Sequence, residues 1–249
     1  MKAEYPIGNP KSPDFKLVTP TDEQYDIIAA TLNGKDNLSL VARAGSAKST
    51  TLEMLAQELP TKKVLCLAFN KAIAMELKQR LPINCHAMTL NGLGHKMVGR
   101  FLPKFPQLNA DKCFDLVREH APRNADFMAV LDALKATKRA GYVNHPRAKS
   151  LMTADEFFGS FKLRLTESEV ELVKKLSELS MEQVIKDQII DFDDQILCSV
   201  ALPCSAPDRY DVILIDEAQD LSTLNHKMLK KIAGIRSRVI AVGLSLIHI

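Results

Sequence analysis

No stretch of this chain approaches the ~20 consecutive apolar residues that a membrane-spanning helix needs, and its start has no apolar core of the kind a secretory leader carries. The sequence predicts a soluble, cytoplasmic protein with no membrane partner. A surplus of either charge is also missing: 33 Lys and Arg against 30 Asp and Glu leave only +3. Such a balance is weak support for a polyanion partner and leaves room only for a local basic groove. The five cysteines (Cys66, Cys85, Cys113, Cys198 and Cys204) show neither C-x-x-C nor the Cys/His spacing of a zinc site. Odd in number and mostly in apolar surroundings, they read as buried free thiols in a reducing compartment. What remains is ordinary for a globular protein: 46% hydrophobic, 25% charged, and 249 residues long enough for one large or two small domains.

Glycine is scarce where one motif wants it most. Ser39-Leu40-Val41-Ala42 reads as a buried strand, Arg43-Ala44-Gly45-Ser46-Ala47 as a small-residue turn, and Lys48-Ser49-Thr50 as the start of a helix with Leu52, Met54, Leu55 and Leu59 at helical spacing. That is the layout of a phosphate-binding loop, in which backbone N–H groups and a helix N-terminus face the phosphates. Lys48 would reach the β- and γ-phosphates and the Ser49 hydroxyl would ligate Mg²⁺. The two glycines of G-x-x-x-x-G-K-[ST] are Ala42 and Ala47 here, with only Gly45 left inside the loop.

Four prolines and no periodicity make residues 1–20 an extended lead-in rather than a folded element. Thr21-Asp22-Glu23-Gln24 opens a helix to about Leu32, with Tyr25, Ile28 and Leu32 on one face and Thr21 and Gln24 as a capping box. The Gln24 amide could instead read adenine, and local sequence alone favours the cap. The apolar run 64–69 reads as a strand buried on both faces, followed by Asn70-Lys71 and a helix. A strand end meeting a polar helix start is where open α/β sheets bind ligands, so both residues are candidates for phosphate contacts. A third strand covers 83–90. From about 108 to 186 the chain is helical and polar, an inserted subdomain whose amphipathic pieces are 114–116, 127–134, 157–165 and 172–179. Its basic run Lys135-Ala136-Thr137-Lys138-Arg139 could touch a backbone phosphate, but reads first as a solvated face, because charge runs usually are. The sheet resumes at 210–215 and runs straight into Asp216-Glu217 at a strand's carboxyl edge. Buried acids at a strand end need a cation. Asp216 would hold Mg²⁺ through water, and Glu217 would orient and deprotonate the attacking water. A last strand spans 238–243.

Taken together, these stretches resemble the first motor domain of a superfamily 1 DNA helicase of the UvrD/Rep type, in the branch of the F-box DNA helicases and their phage relatives. Thr21 to Gln24 match the Q motif, Ala42 to Thr50 motif I, Ala68-Phe69-Asn70-Lys71-Ala72-Ile73-Ala74 motif Ia, and Thr89-Leu90-Asn91 motif Ib. Asp191-Phe192-Asp193-Asp194 resembles an element that precedes motif II, and Asp216-Glu217-Ala218-Gln219-Asp220 is motif II itself. The resemblance implies an α/β fold, a RecA-like P-loop NTPase parallel sheet over 17–106 and 187–243 with a helical insert at 107–186. It implies ATP and Mg²⁺ as cofactors, with Gln24 as adenine reader, Ala44, Gly45, Ser46, Ala47, Lys48, Ser49 and Thr50 around the phosphates, and Ser49 and Asp216 on the metal. Lys48, Asp216, Glu217 and Gln219 would be catalytic, Gln219 coupling nucleotide state to DNA. Phe69, Asn70, Lys71, Thr89 and Asn91 would line a groove for single-stranded DNA or a single-strand/duplex junction.

Three departures matter. The Ala47 Cβ crowds the loop where the family has glycine. Asn91 stands where many members have His. After Val242-Gly243, where motif III should continue, the sequence reads Leu-Ser-Leu-Ile-His-Ile. Residues 244–249 therefore read as a non-native tail, with the second RecA-like domain and its arginine fingers missing and the fragment nearly inactive alone. Two rival readings stay open: another P-loop ATPase, such as a clamp-loader-like ATPase or a nucleotide kinase, and a DNA-binding module that lost ATP use through Ala47.

Overall fold

The computed structural model describes residues 3–13, 15–42, 48–160, 165–234 and 237–244. Along the chain, β1 (Tyr5–Ile7), β2 (Lys16–Val18), α1 (Asp22–Asn33), β3 (Leu38–Ala42), α2 (Lys48–Gln57), β4 (Val64–Ala68), α3 (Lys71–Arg80) and β5 (Cys85–Thr89) come first. Then follow α4 (Leu90–Phe101), β6 (Gln107–Leu108), α5 (Lys112–His120), α6 (Phe127–Ala140), α7 (Ala154–Ser160), α8 (Glu167–Glu182), β7 (Ile189–Ile190) and α9 (Phe192–Ala201). The chain returns through β8 (Val212–Ile215), α10 (Thr223–Ile232) and β9 (Arg238–Leu244). Two compact units result: one from 1–90, 208–221 and 232–249, the other from 91–207 and 222–231.

The first unit is built on a five-stranded sheet in the order β3-β9-β8-β4-β5, parallel throughout. Parallel pairing puts all five carboxyl ends at one edge, where α/β sheets bind ligands. The continuous apolar runs explain the burial of β4 and β8 at every position. Leu52, Met54, Leu55 and Ala56 of α2 pack into the core formed with Val64, Cys66, Val212, Leu214, Ile240 and Val242. Helix starts follow local capping chemistry. Thr21 and Gln24 close the capping box that opens α1, and the Asn70 side chain accepts the Ile73 N–H at the start of α3.

Residues 5–18 are not merely extended. β1 and β2 pair antiparallel, Tyr5↔Val18 to Ile7↔Lys16, and Tyr5 and Ile7 are buried in the core beside α2. Tyr5 Oη donates to Glu58, and the Gln57 amide donates to the Pro6 carbonyl at 2.8 Å. Two apolar side chains spaced at the strand period were enough to fold a segment whose prolines argued against it; burying an isoleucine contributes about 1.5–3 kcal/mol. On α1 the inward face is Gln24, Ile28 and Thr31, while Leu32 is exposed. The inward Gln24 amide donates to the Thr51 hydroxyl, whereas the Thr31 hydroxyl is buried with no partner among the described residues.

The second unit is helical, with a core of Leu116, Val117, Val130, Leu134, Val173 and Leu176 from α5, α6 and α8. The α6 helix is capped by Asp126 and ended by Gly141 in the left-handed region at φ 88°. A single π turn, Gln183–Asp187, closes α8, and β6 and β7 form a two-residue parallel pair. The basic run 135–139 is not simply a solvated face. Lys138 is buried, 2.5 Å from Asp191 and 2.8 Å from Asp194, and only Arg139 reaches outward, to Asp193. Lys112 completes this cluster 2.7 Å from Asp194, with the carbonyls of Ser180 and Ile189 taking its other protons. Sequence gave no sign of Lys112; the spacing of Asp191 and Asp194 was the available signal, because it forms the capping box of α9. Four buried charges are tolerable here because each is paired and hydrogen-bonded.

Candidate nucleotide and nucleic-acid site

At the carboxyl edge of the sheet, α2 begins with Lys48-Ser49 after β3, and β8 ends in Asp216-Glu217. The fold brings these four side chains together across more than 160 positions of sequence. Lys48 Nζ lies 2.7 Å from Glu217 Oε2, a partly buried ion pair. The same Glu217 oxygen accepts the Gln219 amide at 2.7 Å. These two donors, Lys48 first, hold the Glu217 carboxyl below the usual carboxylate range, so it is ionised at neutral pH. Asp216 is buried, and the Ser49 hydroxyl hydrogen-bonds to its carboxylate. Burial, and next the Glu217 charge, raise the Asp216 carboxyl above its ordinary value. A buried carboxylate beside a like charge, with a hydroxyl at hand, is a hard oxygen donor set suited to Mg²⁺.

Glu217 sits in the left-handed region at φ 50°, ψ 49°, and a 3₁₀ turn, Ala218–Asp220, follows. That conformation costs a non-glycine residue about 1–2 kcal/mol and aims adjacent carboxylates differently: Asp216 toward Ser49, Glu217 toward Lys48. Gly243 on β9 lies against the same turn, where an added Cβ would stand 2.8 Å from Gln219 Oε1. Gln219 is therefore in reach of both Glu217 and the end of β9.

Gln24 is engaged at both ends of its amide. Its oxygen accepts the Thr21 N–H at 3.0 Å, and its nitrogen donates at 2.9 Å to the hydroxyl of Thr51 on α2. The cap and a link to α2 thus coexist, and an adenine contact would exchange with them. Ala44, Gly45, Ser46 and Ala47, together with the expected tail beyond 244, lie outside the described residues; Thr50 is in the first turn of α2. Phe69 is exposed, Asn70 and Lys71 stand at the open start of α3, and Thr89 ends β5, so these four candidates share the carboxyl edge of the sheet unit. Asn91 belongs to the helical unit. Its amide nitrogen donates to the Phe192 carbonyl at 2.8 Å and to Gln195 Oε1 at 3.0 Å, which ties α4 to α9. Gly94 makes the same approach from α4, since a Cβ there would meet the Gln195 carbonyl oxygen at 2.2 Å.

Sequence reading missed Glu53, an acid in the apolar body of α2 that bonds Arg80 and the Gly8 N–H, both at 3.1 Å. Nothing in its spacing could have marked it. Among the described residues no helix is long and apolar enough to cross a membrane.

Comparison with known proteins agrees with this geometry. The F-box DNA helicase protein 1 of Schizosaccharomyces pombe is 26% identical over 230 residues, an alignment covering 81% of this chain and 25% of that protein. The chain thus spans about a quarter of the length of the curated relative it matches. The description UvrD/REP helicase N-terminal domain matches residues 21–243, from the cap of α1 to the glycine against Gln219. With that match covering most of the chain, on a parallel α/β sheet carrying Lys48, Ser49, Asp216 and Glu217 at one edge, the protein belongs to the UvrD/REP helicase N-terminal domain family.

Proposed function

We propose that this chain is the ATP-binding motor domain of a DNA helicase, coupling ATP hydrolysis to movement along single-stranded DNA, with the 3′–5′ direction of the UvrD type. The observation that carries the reading is the convergence of Lys48 with Glu217 and of Ser49 with Asp216, at the start of α2 and just past the end of β8. Residues 17–106 and 187–243 would form the RecA-like ATP-binding domain and 107–186 its helical insert, in a soluble cytoplasmic protein.

Bound Mg-ATP supplies the phosphoryl group and a divalent charge that stabilises the leaving oxygens. Ser49 and Asp216 would hold the metal, and Lys48, with the 44–50 loop, the phosphates. Lys48 then leaves Glu217, whose ionised carboxylate accepts a proton from the attacking water while Gln219 keeps it oriented. Gln24 would read the adenine. Phe69, Asn70, Lys71, Thr89 and Asn91 would contact the DNA, the first by stacking and the others at the backbone. In related NTPases an arginine from outside the phosphate-binding domain adds about 10³ to 10⁵ in rate, so full hydrolysis is assigned to this domain working with a second RecA-like one.

The test is a fluorescent-nucleotide titration with Mg²⁺ on the wild-type chain, Lys48→Ala and Ala47→Gly, followed by ATPase assays with and without single-stranded DNA. Binding lost in Lys48→Ala and tightened in Ala47→Gly is the expected result. A wild-type chain that binds no nucleotide, unrescued by Ala47→Gly, would overturn the ATP assignment.

A further inference from the structure

Residues 91–110 contain no aspartate or glutamate, yet they carry Lys96, Arg100 and Lys104. In the same stretch two large apolar side chains stand in solvent, Phe105 at 67% exposure and Leu108 at 40%. Lys96 and Arg100 are four residues apart on α4 and so share one face of the helix. All three cations are exposed, and none forms an ion pair among the described residues; Arg100 donates to the Pro207 carbonyl instead.

Phe105 is exposed but held. Its ring stacks on His95, with centroids 4.7 Å apart and planes 18° from parallel, and His95 Nε2 lies 3.2 Å from the Pro106 carbonyl oxygen. The ring also lies over Gly99, where an added Cβ would stand 2.5 Å from it. One face of Phe105 is thus fixed against α4 and the other is open. The strand that follows has an open edge. The N–H groups of Gln107 and Asn109 donate to the carbonyls of Gln188 and Ile190 at 2.7 and 2.8 Å. Successive main-chain amides of a strand point to opposite sides. The N–H and C=O of Leu108 therefore face away from β7, without a partner among the described residues.

Unpaired cations beside anchored apolar side chains suit an anionic chain with apolar groups of its own. Nucleic acid and acidic peptide both answer to that. The free main-chain pair at Leu108 favours the peptide: an extended peptide supplies both the C=O and the N–H that continue a sheet, whereas a sugar–phosphate strand supplies acceptors alone. We propose that the Phe105–Leu108 edge docks an extended acidic peptide of a partner protein. Its backbone pairs with Leu108, one apolar side chain rests on the open face of Phe105, and Lys96, Arg100 and Lys104 meet its carboxylates. This docking surface is independent of the motor reading.

The experiment is fluorescence anisotropy on the whole chain with two labelled ten-residue probes, one alternating Asp and Leu, the other alternating Lys and Leu. The acidic probe is expected to bind at least about tenfold more tightly. Phe105→Ala and Leu108→Pro should each weaken it about tenfold at an unchanged melting midpoint, since the ring is exposed and the lost N–H lies outside the ladder to β7. Of two further acidic probes, N-methylated at every Asp or at every Leu amide, wild type should bind one and not the other, because alternate amides face the edge. That readout needs no variant to fold. Equal binding of the acidic and basic probes, or of both methylated ones, overturns the proposal. So does wild-type affinity in Phe105→Ala and Leu108→Pro. Oligo-dT that displaces the acidic probe and is weakened by Phe105→Ala but not by Leu108→Pro would make the surface a nucleic-acid contact. A dimer in sedimentation that Phe105→Ala dissolves would make it a contact between copies, and either result overturns the peptide assignment.

Discussion

Each unit holds lysines against neighbouring carboxylates, and the two sets behave oppositely. In the sheet unit Lys48 and Glu217 are 11% and 28% exposed, share one bond, and rest on a residue in a left-handed conformation. In the helical unit Lys112, Lys138, Asp191 and Asp194 are at most 9% exposed, and their backbone follows an unstrained capping box. The chemistry of the groups is the same. Burial and completeness of hydrogen bonding separate a pair whose partners can be exchanged for a ligand from one that can only be broken.

The contrast can be broken most severely at Lys138. Replacing it with alanine leaves Asp191 and Asp194 short of a buried cation, and such losses cost about 3–5 kcal/mol; urea unfolding followed by circular dichroism should show it, and a loss below 1 kcal/mol would mean the cluster hydrates freely. Lys48→Ala, by comparison, should move stability by less than about 1 kcal/mol while weakening Mg-nucleotide binding by about 10- to 100-fold, as expected for a lost charged hydrogen bond.

Acid titration sharpens the comparison by sign. Burial alone would raise the Asp194 carboxyl, but Lys112 and Lys138 overcome it and hold it down to about 2. A depressed folded value contributes stability above the ordinary 3.8 that is lost as pH falls toward about 2. Burial raises the Asp216 carboxyl, so its contribution is present below 3.8 and lost as pH rises through the raised value. Asp194→Asn should therefore flatten the acid limb of the stability curve, whereas Asp216→Asn should stabilise the chain slightly at neutral pH and abolish the Mg²⁺ dependence of nucleotide binding. Equal slopes in both variants would contradict the assignment. The smallest effect belongs to Glu217→Gly. Relief of the left-handed strain should stabilise by about 1 kcal/mol, less the partly buried ion pair with Lys48, while hydrolysis disappears; a melting midpoint lowered by the change would mean that the ion pair outweighs the strain.

Much of the sheet unit was legible because its signals are local. Continuous apolar runs mark β4 and β8, Thr21 and Gln24 mark the start of α1, and Asp216-Glu217 stand where an apolar run stops. The helical unit was legible only as helices. Lys138 looked like one of a run of surface cations, since neither its own period nor its neighbours announce that two aspartates more than fifty positions later will enclose it. Tyr5 and Ile7 were hidden for the same reason: Glu58, which accepts the Tyr5 hydroxyl, and the apolar side chains of α2 in the shared core lie more than forty positions away. Local pattern shows which element a residue joins; long-range pairing decides what that residue then does.

The pairing of β3 with β9 has a consequence for how the protein is made. Leu38 lies opposite Ile240, and the neighbouring contact of Asn37 with Val239 closes a loop of 202 residues. A ribosome delivers residues 91–207 of the helical unit in one uninterrupted stretch, and β4 can pair with β5 early. The strand that leads into Lys48, by contrast, has no partner until the last residues of the sheet emerge. Non-local strand pairing of this kind is slow, and a waiting parallel edge is exposed to misassociation. The strand that leads into Lys48 and Ser49 is thus among the last elements to reach its native place.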